Sequence, residues 1–440
     1  HQEQRVAQGK QDFKNLQESL ARLEDGWQTL RRAAEEAGIS LKESALSQNR
    51  VIQKLDTAVR AKTFRLASHY WEGMYLEELR KKLYDSTYWD SASPEKKARM
   101  YRRFAKLLPC QIATFYMLPH YYCGYQKEIK KEIFMFNEID LLIVDEAGQV
   151  SPEIGTPSFA LAKKALVVGD TFQIEPVWSV ASGTDSANAL ESGVISSLKE
   201  YEEEEPRGYY AASGNLMRMA QLACNYTQYE ELCPGMMLVE HRRCLPEIIA
   251  YCNDLVYHGK LEPHRRQSPE DARKRPAFLP MMGEIPVLGA ADERSSGSRR
   301  NRTEAEAIAG WVKEHRKELE EAYGKEIAEI LGIVTPFTAQ KRAIQEALEE
   351  TLGKTTEIQN IVVGTVHALQ GAERDVVLFS PTYGSGHSGN TFFDAGPNMM
   401  NVAVSRARDS FIVLGNPELF REESQKPSGI LARHLRPDAT

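Results

Sequence analysis

LLIVDEAGQV, residues 141 to 150, and KALVVGDTFQIEP, residues 164 to 176, decide the fold. In each, a short apolar run ends abruptly at a carboxylate: Asp145-Glu146 in the first, Gly169-Asp170 in the second. Continuous apolar strands, rather than alternating ones, belong to parallel sheets covered on both faces. In such sheets ligands collect at the carboxyl ends of the strands. An acidic strand end alone is a weak signal, because many strands close on an acidic turn. The order of the later motifs along the chain makes it specific.

Further runs of the same kind are GMMLVEH (235–241), ILGIVTPF (330–337), IVVGTVHAL (361–369), RDVVLFSP (374–381) and FIVLGN (411–416). Amphipathic helices are predicted between several of them, from Thr303 to Glu320 and from Ala339 to Leu352. Thr303 and Glu306 have capping-box spacing at the first of these. Alternating strands and helices predict an α/β fold. The stretch from His264 to Arg302, rich in Pro, Arg, Ser and Gly, reads as a surface excursion whose arginines are candidates for phosphate contact. YEEEEP (201–206) reads as a solvated acidic run.

The N-terminal quarter has a different grammar. Phe13, Leu16, Leu20, Leu23, Trp27, Leu30, Ala34 and Ala37 recur at spacings of three and four, which is a heptad seam ending at Gly38. A second helical stretch runs from Leu41 to Leu83. A helical hairpin within the chain and a dimerising coiled coil both fit this pattern. A further helix is predicted from Pro94 to Leu108.

Bulk properties narrow the classes. The chain has 440 residues, a net charge of -7 and 42% apolar residues, which allows roughly two to four domains. The negative balance argues against coating nucleic acid by bulk charge and leaves a local basic groove open. Six cysteines stand scattered with no CxxC pair, so free thiols in a reducing, cytoplasmic compartment are expected rather than a zinc site. No apolar run approaches the about 18 residues of a membrane span, so no membrane partner is expected. The polar start is unlike a signal peptide. Beginning with His rather than Met, it reads as a piece of a longer chain, and a processed end looks the same.

Taken in order, DEAGQ, GDTFQIEP, EHRR, TPFTAQ, TVHALQGAERD and NVAVSRAR resemble the motifs of superfamily 1 helicases. Within these they look like the branch of the nonsense-mediated decay helicase and the nuclease-helicase of Okazaki-fragment processing. SGSRRNRTEA and IATFY resemble two further segments of that branch. The resemblance covers about 110 to 420. It implies two RecA-like parallel-sheet domains of the P-loop NTPase type, the first incomplete, with a long helical-hairpin insertion. The corresponding boundaries are 1–108 for the insertion, 109–232 for the remainder of the first domain and 233–440 for the second.

The resemblance also implies roles. ATP and Mg²⁺ are the expected cofactors, with Asp145 holding Mg²⁺, in part through water, and Glu146 as the general base. Gln149 and Gln173, each with donor and acceptor, suit sensing of the γ-phosphate or its water. Asp170 would orient polar groups in the same cleft. Arg242 and Arg406 would be arginine fingers, with Arg243 the alternative to Arg242. Glu373 would meet the ribose or orient a finger, and Gln370-Gly371 would shape its turn. Thr114, Thr335 and Thr365 stand where relatives bind the phosphates of a single strand of DNA or RNA. His367 is a candidate beside them, although a lone His serves structure as readily. Movement would be 5′ to 3′. Two departures stand out: Glu175 replaces a usual Pro in the third motif, and His241 a usual Tyr.

A phosphate loop, GxxxxGK[ST], is absent from these residues. Gly353-Lys354-Thr355 comes nearest, but position 348 is Leu and no apolar strand precedes it, so it reads as a helix C-terminus. The expected function is the C-terminal portion of an ATP-dependent helicase or translocase on single strands, more readily DNA. The phosphate loop would come from an upstream part of the same protein or from a partner chain, and the chain alone would be inactive. The alternatives are a nucleic-acid-binding scaffold and an ATP-gated clamp without unwinding.

Overall fold

A computed structural model describes residues 56–85, 92–265, 275–288, 293–295, 298–366, 373–387 and 389–436, with isolated positions between 14 and 32. The chain divides into two compact units, 1–138 and 139–440. The heptad seam positions from Phe13 to Ala37 lie outside the described residues.

In the first unit, the described part of the second helical stretch is the helix Ala61–Lys82, entered through one wider turn at Asp56–Arg60. Helix Pro94–Phe104 starts where Ser93 Oγ accepts the Lys96 N–H and Pro94 takes the first helical position. Proline suits that position because its missing N–H would have had no partner there. An antiparallel hairpin comes next, β1 (Cys123–Gln126) and β2 (Lys131–Phe134). Residue spacing did not suggest it, since these strands are short and half exposed.

The second unit holds the strands that the apolar runs predict. β3 (Leu142–Val144) pairs in parallel with β4 (Ala165–Val167). A separate five-stranded parallel sheet is built from β5 (Met282–Pro286), β6 (Leu331–Val334), β7 (Val362–Gly364), β8 (Arg374–Phe379) and β9 (Ala407–Gly415). Its order is β7-β6-β8-β9-β5. Alternate side chains feed two cores. Val377, Phe379, Phe411 and Val413 pack with Ile248, Tyr251 and Met400 on one face. Val376, Leu378, Ile412 and Leu414 pack with Ile308, Val312 and Ile344 on the other. Both faces are covered, which is why these strands carry no polar alternation.

Three readings change in detail. GMMLVEH is a strand only at Glu240–His241, and Met236 and Leu238 are 80% and 84% exposed, so apolar content there does not signal core. β5 joins the sheet from MMGEIP, whose Gly and Pro gave no strand signal; it occupies the edge, where proline is tolerated. The helix predicted from Thr303 begins at Arg302, capped by Asn301, whose side chain accepts the Glu304 N–H. Asn caps at least as well as Thr. Gly353 does end the helix Thr338–Leu352, with its N–H on Glu349 O and φ 90°.

Glu304 belongs to a buried polar network at the carboxyl ends of β6 and β8. Its carboxylate accepts from Ser380 Oγ at 2.6 Å, Thr382 N at 2.8 Å and Asn301 Nδ2 at 3.2 Å. Burial outweighs these bonds and pushes its carboxyl up to about 8. A raised carboxyl pKa means that folding takes up a proton between the unfolded value and about 8, so stability falls as pH rises through that window. Glu304→Gln, which mimics the protonated acid, is expected to flatten that slope. Thermal melts of both proteins from mildly acidic to mildly alkaline pH check this, and parallel curves would refute it.

Candidate functional site

The turn after β3 is built on close backbone approach. Ala147 N donates to Val168 O at 2.9 Å and Val168 N to Val144 O at 2.8 Å. A Cβ on Gly148 would sit 2.6 Å from Asp170 O, and one on Gly169 2.9 Å from the amides of Ala147 and Gly148. Glycine at both places lets the two strand-end turns lie against each other, so DEAG and GD occupy one point in space. Glu146 takes a left-handed conformation, φ 53°. For a non-glycine residue this costs on the order of 1–3 kcal/mol, and such strain concentrates at functional sites. Gln149 Nε2 holds the Glu146 carboxylate at 2.7 Å, and Asp145 Oδ1 accepts the Glu146 N–H at 2.9 Å. Both acids remain exposed.

Asp170 is the hub of the next layer. Its Oδ1 accepts the Phe172 N–H at 2.8 Å, and its Oδ2 accepts from Gln173 Nε2 at 3.1 Å and from the Tyr257 hydroxyl at 2.5 Å. Asn401 Nδ2 donates to Tyr257 Oη at 2.9 Å and to Phe172 O at 2.8 Å, and Asn398 Nδ2 donates to Thr171 O at 3.2 Å. Burial, and then the Asp170 charge, hold the Tyr257 hydroxyl protonated far above the ordinary tyrosine range. The loop 171–173 is thus strapped to helix Asn398–Ser405, which leads directly to Arg406.

Arg406 closes the circuit: its guanidinium donates to Gln173 Oε1 at 3.5 Å. It is 4% exposed, and its Nε has no hydrogen-bond partner. Burial, then the neighbouring Arg243 charge, depress its pKa, while Glu146 and Glu373 act in the opposite sense. Arg243 pairs with Glu373 at 2.6 Å, and Arg408 reaches the same carboxylate at 3.5 Å. Arg242 instead pairs with Glu240 at 2.7 Å, with both side chains exposed. Of the two adjacent arginines, Arg243 is the one placed beside Arg406 and Glu373. Buried Arg265 braces this group from behind, bonded to Asp409 at 2.5 Å, to Arg243 O at 3.0 Å and to Arg408 O. Burial and then Arg243 push the His241 imidazole down to about 4. It is therefore neutral at pH 7, and its Nε2 accepts the Cys244 N–H at 3.0 Å.

An anionic group suits this cluster, because the buried Nε of Arg406 lacks an acceptor. For a metal, no cluster of three or more His, Cys, Asp or Glu side chains exists among the described residues. One or two exposed carboxylates are nevertheless what Mg²⁺ uses when water and substrate phosphates complete its shell. Asp145 and Glu146 fit that donor set.

The threonines part company. Thr335 is buried, its hydroxyl shared with Thr382 at 3.1 Å. Thr365 lines an open cleft of about 1030 Å³ together with Pro336, Trp178 and Phe392. Thr114 lies in the other unit, where its carbonyl accepts the Met117 and Leu118 N–H groups in a turn. His367, Gln370 and Gly371 lie outside the described residues. Tyr257, Asn398 and Asn401 were missed. Two of them lie in or next to NVAVSRAR, but only an arginine in that motif carried a readable charge signal.

Residues 220–418 match the AAA domain family. The regulator of nonsense transcripts 1 homolog of Neurospora crassa is 26% identical over 63% of this chain and 23% of its own length. The ATP-dependent helicase upf1 of Schizosaccharomyces pombe is 27% identical over 64% of this chain and 27% of its own. The probable helicase senataxin of Mus musculus is 26% identical over 64% of this chain and 10% of its own. Over the matched stretch the chain is similar to proteins named as helicases. It spans about a quarter or less of the length of these relatives. Its five-stranded parallel sheet and the strand-end turns at Asp145 and Asp170 lie in one unit, 139–440. Among the described residues no helix is long and apolar enough to cross a membrane.

Proposed function

We propose that this chain supplies the metal, water and arginine side of an ATP-hydrolysing helicase or translocase site, coupled to a single nucleic-acid strand. The carrying observation is Gln173, bonded at one end to Asp170 and at the other to Arg406. That side chain joins the turn after β4 to the helix ahead of β9. Residues 109–232 would be the remainder of a first RecA-like domain and 233–440 the second.

Mg²⁺ held near Asp145 would neutralise charge on the nucleotide phosphates. Glu146, fixed by Gln149, would accept a proton from the attacking water. Arg406, with Arg243 beside it, would stabilise charge on the transferring phosphoryl group. Glu373 would hold Arg243 in place. The nucleic-acid strand would run along the cleft at Thr365, held by its backbone rather than its bases, as suits a motor that steps along any sequence. The resemblance implies 5′ to 3′ movement, and the style of EHRRCLPEIIAYCN (240–253) favours DNA over RNA as the strand.

No phosphate loop lies in these 440 residues, so a loop in cis or in trans is required. The isolated chain is expected to hydrolyse ATP negligibly in a steady-state assay with single strands added. Robust turnover that Glu146→Gln abolishes would overturn this. With the loop supplied, turnover should appear and depend on single strands. Strand displacement would then separate a helicase from a clamp that grips without unwinding.

A further inference from the structure

Glu175 is the acidic departure in GDTFQIEP, and the structure pairs it. Its Oε1 lies 2.8 Å from the Arg218 guanidinium, with the two side chains 31% (Arg218) and 35% (Glu175) exposed. Both line the cleft that also contains Trp178, Thr365 and Phe392. Arg218 is held in place from several sides. Its other guanidinium nitrogen reaches Ser213 O at 3.4 Å, and its backbone N–H is capped by Asn215. Its stem lies where a Cβ on Gly208, at φ 81°, would strike it. An ion pair this exposed contributes little to stability, at most about 1 kcal/mol. Its position is the more informative fact.

The walls suit a single strand. Phe392 lines the cleft and is 57% exposed, while its amide is fixed by the Tyr383 hydroxyl at 2.8 Å. Trp178 has its indole N–H occupied by Gly214 O at 2.9 Å, so its ring meets the cleft with no polar demand left. Aromatic faces stack bases of any sequence, and an arginine fork binds backbone phosphate.

We propose that Arg218 is a phosphate contact for the strand in this cleft, and that Glu175 is its built-in competitor. Phosphate takes the guanidinium, and Glu175 is driven off by like-charge repulsion. Glu175 lies two residues from Gln173, so the exchange moves the loop that carries the Asp170–Gln173–Arg406 circuit. The usual proline at this position has no charge to release. The acid therefore makes strand capture weaker and links it to the nucleotide side. This inference rests on the nucleic-acid reading above.

The test uses the 440-residue chain with fluorescein-labelled single-stranded oligothymidine and oligouridine, read by anisotropy over a salt series. Arg218→Ala is expected to weaken binding and to lower the slope of log affinity against log salt by about 1, the value for one phosphate contact. Glu175→Gln is expected to tighten binding about two- to fivefold, the range for releasing an exposed ion pair. In the Arg218→Ala background Glu175→Gln should relieve a bare negative charge, so the two effects should not add. Thermal melts confirm that the variants fold. Unchanged affinity and slope in folded Glu175→Gln and Arg218→Ala, with wild-type binding intact, overturns the exchange alone. A wild-type chain that binds neither oligonucleotide at low salt overturns the nucleic-acid reading and the exchange with it.

Discussion

Arg406→Ala is expected to lower ATP turnover by about 10³ to 10⁵ once a phosphate loop is supplied, the range an arginine finger is worth. The guanidinium is buried, has an unpartnered Nε and already touches Gln173. A buried cation with an open donor stabilises developing phosphoryl charge without reorganising. Arg406→Lys should recover little, because an ammonium cannot bond Gln173 and a phosphate oxygen with the same planar fork. Phosphate release under saturating ATP is the measurement, and turnover near the wild-type value would remove Arg406 from the mechanism. The neighbours should separate: Arg243→Ala, beside Glu373, should cost more than Arg242→Ala, whose partner Glu240 is on the surface.

Asp170→Ala should be the most damaging single change to the loop that carries Gln173. It removes the acceptor for Phe172 N, Gln173 Nε2 and the Tyr257 hydroxyl together. Bonds to a charged acceptor are worth about 1.5–3 kcal/mol each, and unpaired donors add to the loss, so a cost of about 3 kcal/mol or more is expected. Thermal melts should show a midpoint several degrees lower. Tyr257→Phe, which leaves Asp170 two of its three donors, should be milder. If the two variants melt alike, the strap runs mainly through Tyr257 rather than through the carboxylate. If neither shifts, the strap does not hold the loop.

Much of the fold was open to reading in one dimension. Apolar runs ending at Thr335 and Thr365 mark strand ends of a sheet covered on both faces, which has no use for polar alternation. Those ending at Asp145 and Asp170 also mark strands, although Ile143 and Leu166 there are 58% and 52% exposed. β5 and the Asn301 cap were not readable in that way. An edge strand containing Gly and Pro carries no apolar run, and a cap depends on which turn of the helix meets the core.

Arginine identity was the other limit. Arg242 and Arg243 are adjacent and chemically identical, so only their partners, Glu240 and Glu373, tell them apart. Tyr257 and Asn401 carry no charge and sit 144 residues apart, yet one hydrogen bond joins them between Asp170 and the Arg406 helix. The sequence by itself determined the α/β class, the order of the motifs and the two acids at the end of β3, since these arise from local polarity and spacing. Only the tertiary structure decided which arginine faces Glu373, that Glu175 is neutralised by Arg218, and that a tyrosine and an asparagine strap the loop. Those choices depend on side chains distant in the chain meeting within hydrogen-bond reach, and local pattern does not encode that meeting.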